Sequence, residues 1–206
     1  MARTQGNDGE RSAIDMLEQD HKRVQKLFKD FEKVDRADEE AVREVVETAC
    51  LELQIHSMLE EEIFYPAVRS HSEGTAEDYL NESEIEHEAC DDLIARLHEL
   101  EADDPMYCAY FSVLTKFVKH HIKEEEHSLF PRAEKMKLDL KQLGEDMRNR
   151  REELFAEMER AEDEGEDSEE TSHSLTAQPG EVPTPEPEDE ELEDEQEQID
   201  ISRTRH

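Results

Sequence analysis

The stretch 56-HSMLEEEIFYP-66 lies inside a helix-periodic run, yet it puts a histidine and a glutamate where apolar residues belong. Positions spaced alternately three and four apart form the stripe that a helix turns toward a bundle core. Here that stripe reads Val42, Val46, Ala49, Leu53, His56, Glu60, Ile63. Residues i and i+4 sit one turn apart and differ by about 40° around the axis. His56 and Glu60 therefore project together into the apolar face.

The stretch has a copy. At an offset of 65 residues, 121-HIKEEEHSLFP-131 repeats the histidine, the glutamates, the aromatic and the proline. Upstream, QDHKRVQKLF around His21 matches IEHEACDDLI around His87 at an offset of 66. An internal duplication is the simplest account. The remaining stripes are Ile14, Leu17, His21, Val24, Phe28, Phe31; then Leu80, Ser83, His87, Cys90, Ile94, Leu97; then Tyr107, Phe111, Leu114, Val118, His121, Glu125, Ser128.

Between residues 12 and 136 the only prolines are Pro66, Pro105 and Pro131 and the only glycine is Gly74. Connections fall near 35–39, 71–78 and 101–105, with Asp104-Pro105 as a cap and first-turn proline. The expectation is an all-α, up-down-up-down four-helix bundle over 12–136, after a flexible N-terminus at 1–11. Residues 137–160 predict an additional helical extension, interrupted at Gly144. From 161 to 206 the chain is acidic and proline-rich, the composition of a disordered tail.

Charge excludes several partners. The 206-residue chain carries a formal net charge of −35, and eighteen acidic residues fall within 161–200, where there is no Lys or Arg. Such a surface repels nucleic acid and anionic lipid and attracts cations; the acidic tail either docks a basic protein partner or serves as a solubilising extension. No apolar run approaches the roughly 18–20 residues that span a bilayer. The N-terminus lacks a signal-like apolar segment, and three cysteines without a CxxC spacing suit a reducing compartment, so the expected location is cytoplasmic.

Each stripe carries one histidine, and two also carry a glutamate: His21, His56, Glu60, His87, His121 and Glu125. An unpaired buried carboxylate costs several kcal/mol, so two of them among four imidazoles call for a cation at the centre. Imidazole with carboxylate disfavours iron–sulfur clusters and Cu(I). Six donors exceed one tetrahedral zinc and differ from the oxygen shell of calcium. The set suits two first-row ions bridged by both carboxylates, iron first and manganese second, with positions left for O2, peroxide or NO.

The pattern H…HxxxE…H…HxxxE, written here as His21, His56-Glu60, His87 and His121-Glu125, resembles the hemerythrin family, specifically its HHE cation-binding members. The resemblance covers about residues 12–135. It implies a four-helix bundle holding a non-haem di-iron centre, with glutamates as bridges and histidines as terminal ligands. Two departures separate the chain from the oxygen carriers of that family. Those have HxxxH on the third helix, where Asp91 follows His87 here, and a more widely spaced aspartate on the fourth, where Glu125 stands. Asp91 either replaces the missing histidine or is solvated. The resemblance thus points to the broader HHE group, associated with iron or oxygen sensing and with repair of iron centres under nitric oxide stress. The expected role is binding rather than catalysis, with an enzyme breaking down peroxide or repairing damaged iron centres as the alternative.

Neighbouring residues divide by helical angle. His120 lies about 100° from His121 and points to solvent or a neighbouring helix. Glu61 and Glu126 are exposed or orient ligand imidazoles. Cys90 reads as a small buried residue, and Phe28, Phe64, Phe111 and Phe130 as packing that keeps water away. Tyr65 and Tyr107 could supply a hydrogen bond of undetermined direction.

Overall fold

Among the described residues seven α-helices follow in order: α1 Ala13–Phe31, α2 Glu39–Leu59, α3 Tyr65–His71, α4 Glu77–His98, α5 Pro105–Glu124, α6 Phe130–Ala133 and α7 Leu140–Glu170. α2 passes into α3 through a π-helical turn, Glu60–Phe64, and α5 into α6 through another, Glu125–Leu129. The computed structural model describes residues 11–170 apart from 73 and 75. The flexible N-terminus expected over 1–11 lies outside the described residues except for Arg11; of the disordered tail expected over 161–206, residues 161–170 instead continue α7, and the rest lies outside the described residues. Residues Met1–Gly165 form one unit and Glu166–His206 a second.

Local signals start the rods. The Ser12 hydroxyl accepts from the Asp15 N–H at 3.2 Å, and the Asp15 carboxylate accepts from the Ser12 N–H at 3.1 Å, the reciprocal capping box. Asp38 accepts from the Ala41 N–H and Asp104 from the Met106 N–H, with Pro105 in the first turn, where its missing N–H costs nothing. Gly74, in the turn before α4, has φ of +83°, a conformation only glycine takes freely. α1 packs along α2, α4 along α5, and the two pairs close into the four-helix bundle.

A layer of polar residues cuts the core in two. One apolar cluster, including Phe28, Phe31, Val46, Leu97 and Phe111, fills the end formed by the C-termini of α1 and α4 and the N-termini of α2 and α5. The other, including Leu17, Leu59, Phe64, Tyr65 and Phe130, fills the opposite end and takes in Met147 and Leu154 of α7. Phe28 and Phe111 pack in the first of these clusters, where their rings meet edge to face at 5.8 Å.

The expected interruption at Gly144 is absent, and α7 runs straight through it. Its glycine serves close approach instead. A Cβ there would stand 2.8 Å from the Ser12 carbonyl carbon and 2.9 Å from the Ala13 nitrogen, and nearer still to the Arg11 carbonyl oxygen. These are backbone atoms that cannot swing aside. Gly144→Ala is expected to push α7 off the start of α1 and cost about 1–3 kcal/mol. A thermal melt should fall by several degrees with the metal content unchanged, whereas an unshifted melt would show that the approach carries no weight.

Candidate metal centre

The polar layer is the set of six. His21 on α1, His56 on α2, His87 on α4 and His121 on α5 are all buried, as are Glu60 and Glu125 at the start of the two π turns. Glu60 is fully buried and Glu125 is 1% exposed. The rings form two edge-to-face pairs, His21–His56 with centroids 4.9 Å apart and His87–His121 at 4.7 Å. Each glutamate reaches one ring of each pair. Glu60 Oε2 lies 3.3 Å from His56 Nε2 and 3.4 Å from His87 Nε2. Glu125 Oε2 lies 3.2 Å from both His21 Nε2 and His121 Nε2. Donor atoms of His21, His56, Glu60 and Glu125 lie within 4.8 Å of one another, and so do those of Glu60, His87 and His121.

Three further carboxylates hold rings from behind, and a fourth stands near the remaining ring. His21 Nδ1 is 2.9 Å from Glu126, His87 Nδ1 2.7 Å from Glu61, and His121 Nδ1 2.9 Å from Glu86. Asp20, 2% exposed, stands 3.6 Å from His56 Nδ1, too far for a hydrogen bond, and that nitrogen has no hydrogen-bond partner. A carboxylate on Nδ1 fixes the tautomer and turns Nε2 to the middle, the arrangement that supports metal-ligating histidines. Glu61 and Glu126 each act across the halves, whereas Asp20 and Glu86 act within one. Asp20 and Glu86 escape a stripe analysis because their partners sit on other helices; the signal was their matched place just before His21 and His87 in the repeat.

Proton affinities follow from this packing. Burial alone would lower His87, but its contacts with Glu60 and Glu61 outweigh it and raise it to about 9. His21 and His121 are likewise raised against their burial, chiefly by Glu125. Burial would raise Glu125, yet the His121 charge and the close imidazoles of His121 and His21, each 3.2 Å from its Oε2, hold it well below the usual carboxylate range. Without a cation, protons on imidazole supply the positive charge that these carboxylates require.

The π turns do local work that the sequence did not disclose. In a regular α-helix residue i+5 lies about 140° from residue i. The wider turn brings Tyr65 over Glu60, five residues earlier, and Pro66 follows without ending the helix. Ile63, expected on the stripe, is only half-buried, and Tyr65 takes the core position. The Tyr65 hydroxyl stands 3.1 Å from Glu60 Oε2 and 3.0 Å from Glu125 Oε1. Burial, then the charges of Glu125 and Glu60, push its pKa well above 10, so it stays a neutral phenol. In the second half Phe130 takes the equivalent place: it stacks on His21 at 5.7 Å as Tyr65 stacks on His87 at 5.7 Å.

A cavity of ≈ 20 Å³ opens beside all four histidines, walled by Val24, Leu53, Ile94, Val118 and Ile122. One water needs about 10–15 Å³, so the space admits a molecule of two or three atoms. Cys90 lines it too, and burial pushes its thiol up to about 12, leaving it protonated. Asp91 sits at the cavity as an exposed side chain outside the buried donor clusters. Tyr107 packs in the cluster of Phe28 and Phe111, and His71, His98 and His127 are exposed.

The donors fit a cation. His21 Nε2, His56 Nε2, Glu60 Oε1 and Glu125 Oε2 are buried, point to the middle of the layer and have no hydrogen-bond partner. Leaving such atoms unsatisfied costs about 1–3 kcal/mol each, and a bound ion would satisfy them together.

Comparison with known proteins agrees. Residues 12–133 match the family described as the hemerythrin HHE cation binding domain. A relative from Nostoc sp. (strain PCC 7120 / SAG 25.82 / UTEX 2576), named a DNA nickase, is 30% identical over 130 residues, which are 62% of this chain and 35% of that protein. The chain thus spans about a third of the length of that relative. A solved structure of a hemerythrin HHE cation binding domain-containing protein from Mycobacterium kansasii superposes with a TM-score of 0.60 at 23% identity, over 70% of this chain and 87% of the other, a likeness of fold. With six histidines and glutamates gathered in one buried layer and the family pattern matched across more than half its length, the chain belongs to the hemerythrin family of HHE cation-binding proteins.

Proposed function

We propose that the layer holds two non-haem iron ions, one by His21 and His56 and one by His87 and His121, with Glu60 and Glu125 shared between them. The observation that carries this is the convergence of buried donor atoms without hydrogen-bond partners, each glutamate reaching one ring of each pair. Iron there supplies open coordination positions for a small ligand such as O2, NO or peroxide, and a means of exchanging electrons. The residues of the chain do the rest. Glu61, Glu86 and Glu126 orient three of the rings, the apolar walls exclude bulk water, and the cavity size selects small molecules over organic substrates.

Metal analysis of protein expressed with iron should give about two ions per chain, and the optical spectrum of the aerobic protein should respond to peroxide or NO. A chain that binds no metal under these conditions overturns the proposal. One observation favours an enzyme as a second reading. The Tyr65 hydroxyl is a proton donor in contact with both glutamates, placed to serve peroxide breakdown; sustained H2O2 turnover distinguishes this from binding alone.

Tyr65→Phe keeps the ring on His87 but removes the hydroxyl. A phenol has one proton to donate, so its loss frees one carboxylate contact at a time. Metal affinity, read by chelator competition, is expected to fall by about 10–100-fold with the fold intact; an unchanged affinity would show the hydroxyl to be a bystander. The net charge of −35 supports a role without nucleic acid, so the activity named for the Nostoc relative is not extended to this chain. No helix among the described residues is long and apolar enough to cross a membrane.

A further inference from the structure

The duplication lets the two halves be compared position by position, and at one place their charges differ. In the first half the outer side of Asp20 is neutralised by Arg23 and by Arg151 of α7, both in direct contact with it. Beside it on α2, Ile55 and Leu59 are fully buried in the cluster that includes Met147 and Leu154 of α7. The second half replaces the four of these that lie within the repeat. Asp20 corresponds to Glu86, Arg23 to Ala89, Ile55 to His120 and Leu59 to Glu124.

Glu86 keeps the inner duty, with Oε2 2.9 Å from His121 Nδ1. Its other oxygen faces outward, 3.8 Å from His120 Nε2, and Glu124 Oε1 lies 3.5 Å from the same nitrogen. Donor atoms of all three residues lie within 4.8 Å of one another. His120 is 59% exposed and Glu124 39%, so the cluster is open to solvent. Among the described residues, no lysine or arginine makes an ion pair with Glu86. The orienting carboxylate that has two guanidinium partners in one half has an imidazole and a second carboxylate in the other.

We propose that Glu86, His120 and Glu124 form an outer cation site for a divalent first-row ion such as zinc or manganese. Imidazole with carboxylate suits these ions and not Cu(I) or an iron–sulfur cluster. The spacing also fits. Separations of 3.5 and 3.8 Å are too long for good hydrogen bonds. Two donors each about 2.0–2.2 Å from a tetrahedral ion stand roughly 3.3–3.6 Å apart, so a small adjustment admits the ion, and water completes its shell. The ion supplies the positive charge that Arg23 and Arg151 supply to Asp20. The site stands whether or not the inner six residues hold iron.

The test uses the full chain, with its inner metal content measured beforehand. Zn2+ is titrated by calorimetry at about 0.15 M salt, where the Debye length is about 8 Å and diffuse attraction to an acidic surface is screened. The wild type should take up about one ion per chain more than His120→Ala and Glu124→Gln, or bind that ion at least about tenfold more tightly, as losing one of three protein donors requires. Both substitutions lie at the surface, so thermal melts and inner metal content should match the wild type. Equal Zn2+ uptake by all three proteins overturns the proposal. Loss of inner metal in His120→Ala overturns it too, because His120 would then belong to the centre itself.

Discussion

Replacing Glu60 with glutamine is expected to empty both halves of the centre. The substitution keeps the shape of a fully buried side chain but removes the charge that faces His56 on one side and His87 on the other. Loss of a residue that merely orients a ligand costs about 10–100-fold in metal affinity; loss of a shared carboxylate should cost more at each position. Metal bound per chain should fall from about two ions to well under one, while circular dichroism shows the helices intact. His56→Ala is the contrast. It removes a donor from one pair and should spare the ion held by His87 and His121. If Glu60→Gln retained both ions at wild-type affinity, the glutamate would not be shared, and two independent sites would replace the single centre.

Chelation should produce the other large effect. Metal that binds only the folded chain stabilises it by about 4 kcal/mol at a thousand times its dissociation constant, and about 2–4 °C of melting temperature accompanies each kcal/mol in a chain of this size. Stripping the metal should therefore lower Tm by on the order of 10 °C or more. The loss depends on pH in a definite direction. His87 is raised to about 9 in the fold, above its ordinary value of 6.5. In the metal-free protein its stabilising charge is fully present below about pH 6.5 and disappears as pH rises through about 9. Glu125, held low, loses its contribution only in acid, outside this window. Metal competes with the same protons, so the loaded form also gains as pH rises. The difference in Tm with and without chelator should be larger at pH 9 than at pH 6.5. A difference that shrinks with pH would contradict the proton assignment at His87.

Much of this was legible because helical spacing is local. His56 with Glu60 and His121 with Glu125 are pairs one turn apart, and the repeat brought His21 and His87 into the same set; the four rods followed from the same periodicity, and the Asp104-Pro105 start of α5 from its residue types. Resemblance to the HHE group rested on those residues and is shown by the family match. What stayed hidden depends on contacts between helices or on departures from ideal geometry. Asp20 and Glu86 serve histidines 36 and 35 positions away, so no single helical wheel singles them out. Tyr65 reaches the glutamates only because a π turn rotates it, and Ile63 lost its expected place for the same reason. Gly144 read as a breaker because helix propensity says nothing about a neighbouring backbone that requires the missing side chain.

The polar layer has a consequence for how the molecule comes apart. It separates two apolar clusters, one with Phe111 at its heart and one with Phe64, so each end of the bundle has a hydrophobic nucleus of its own. Regions that share few apolar contacts open as separate cooperative units. Metal held by the proposed ligands on four rods would rivet the two ends into one unit. Without it, amide hydrogen exchange should resolve two blocks of protection of unequal depth, and only the metal-loaded chain should exchange as a single body.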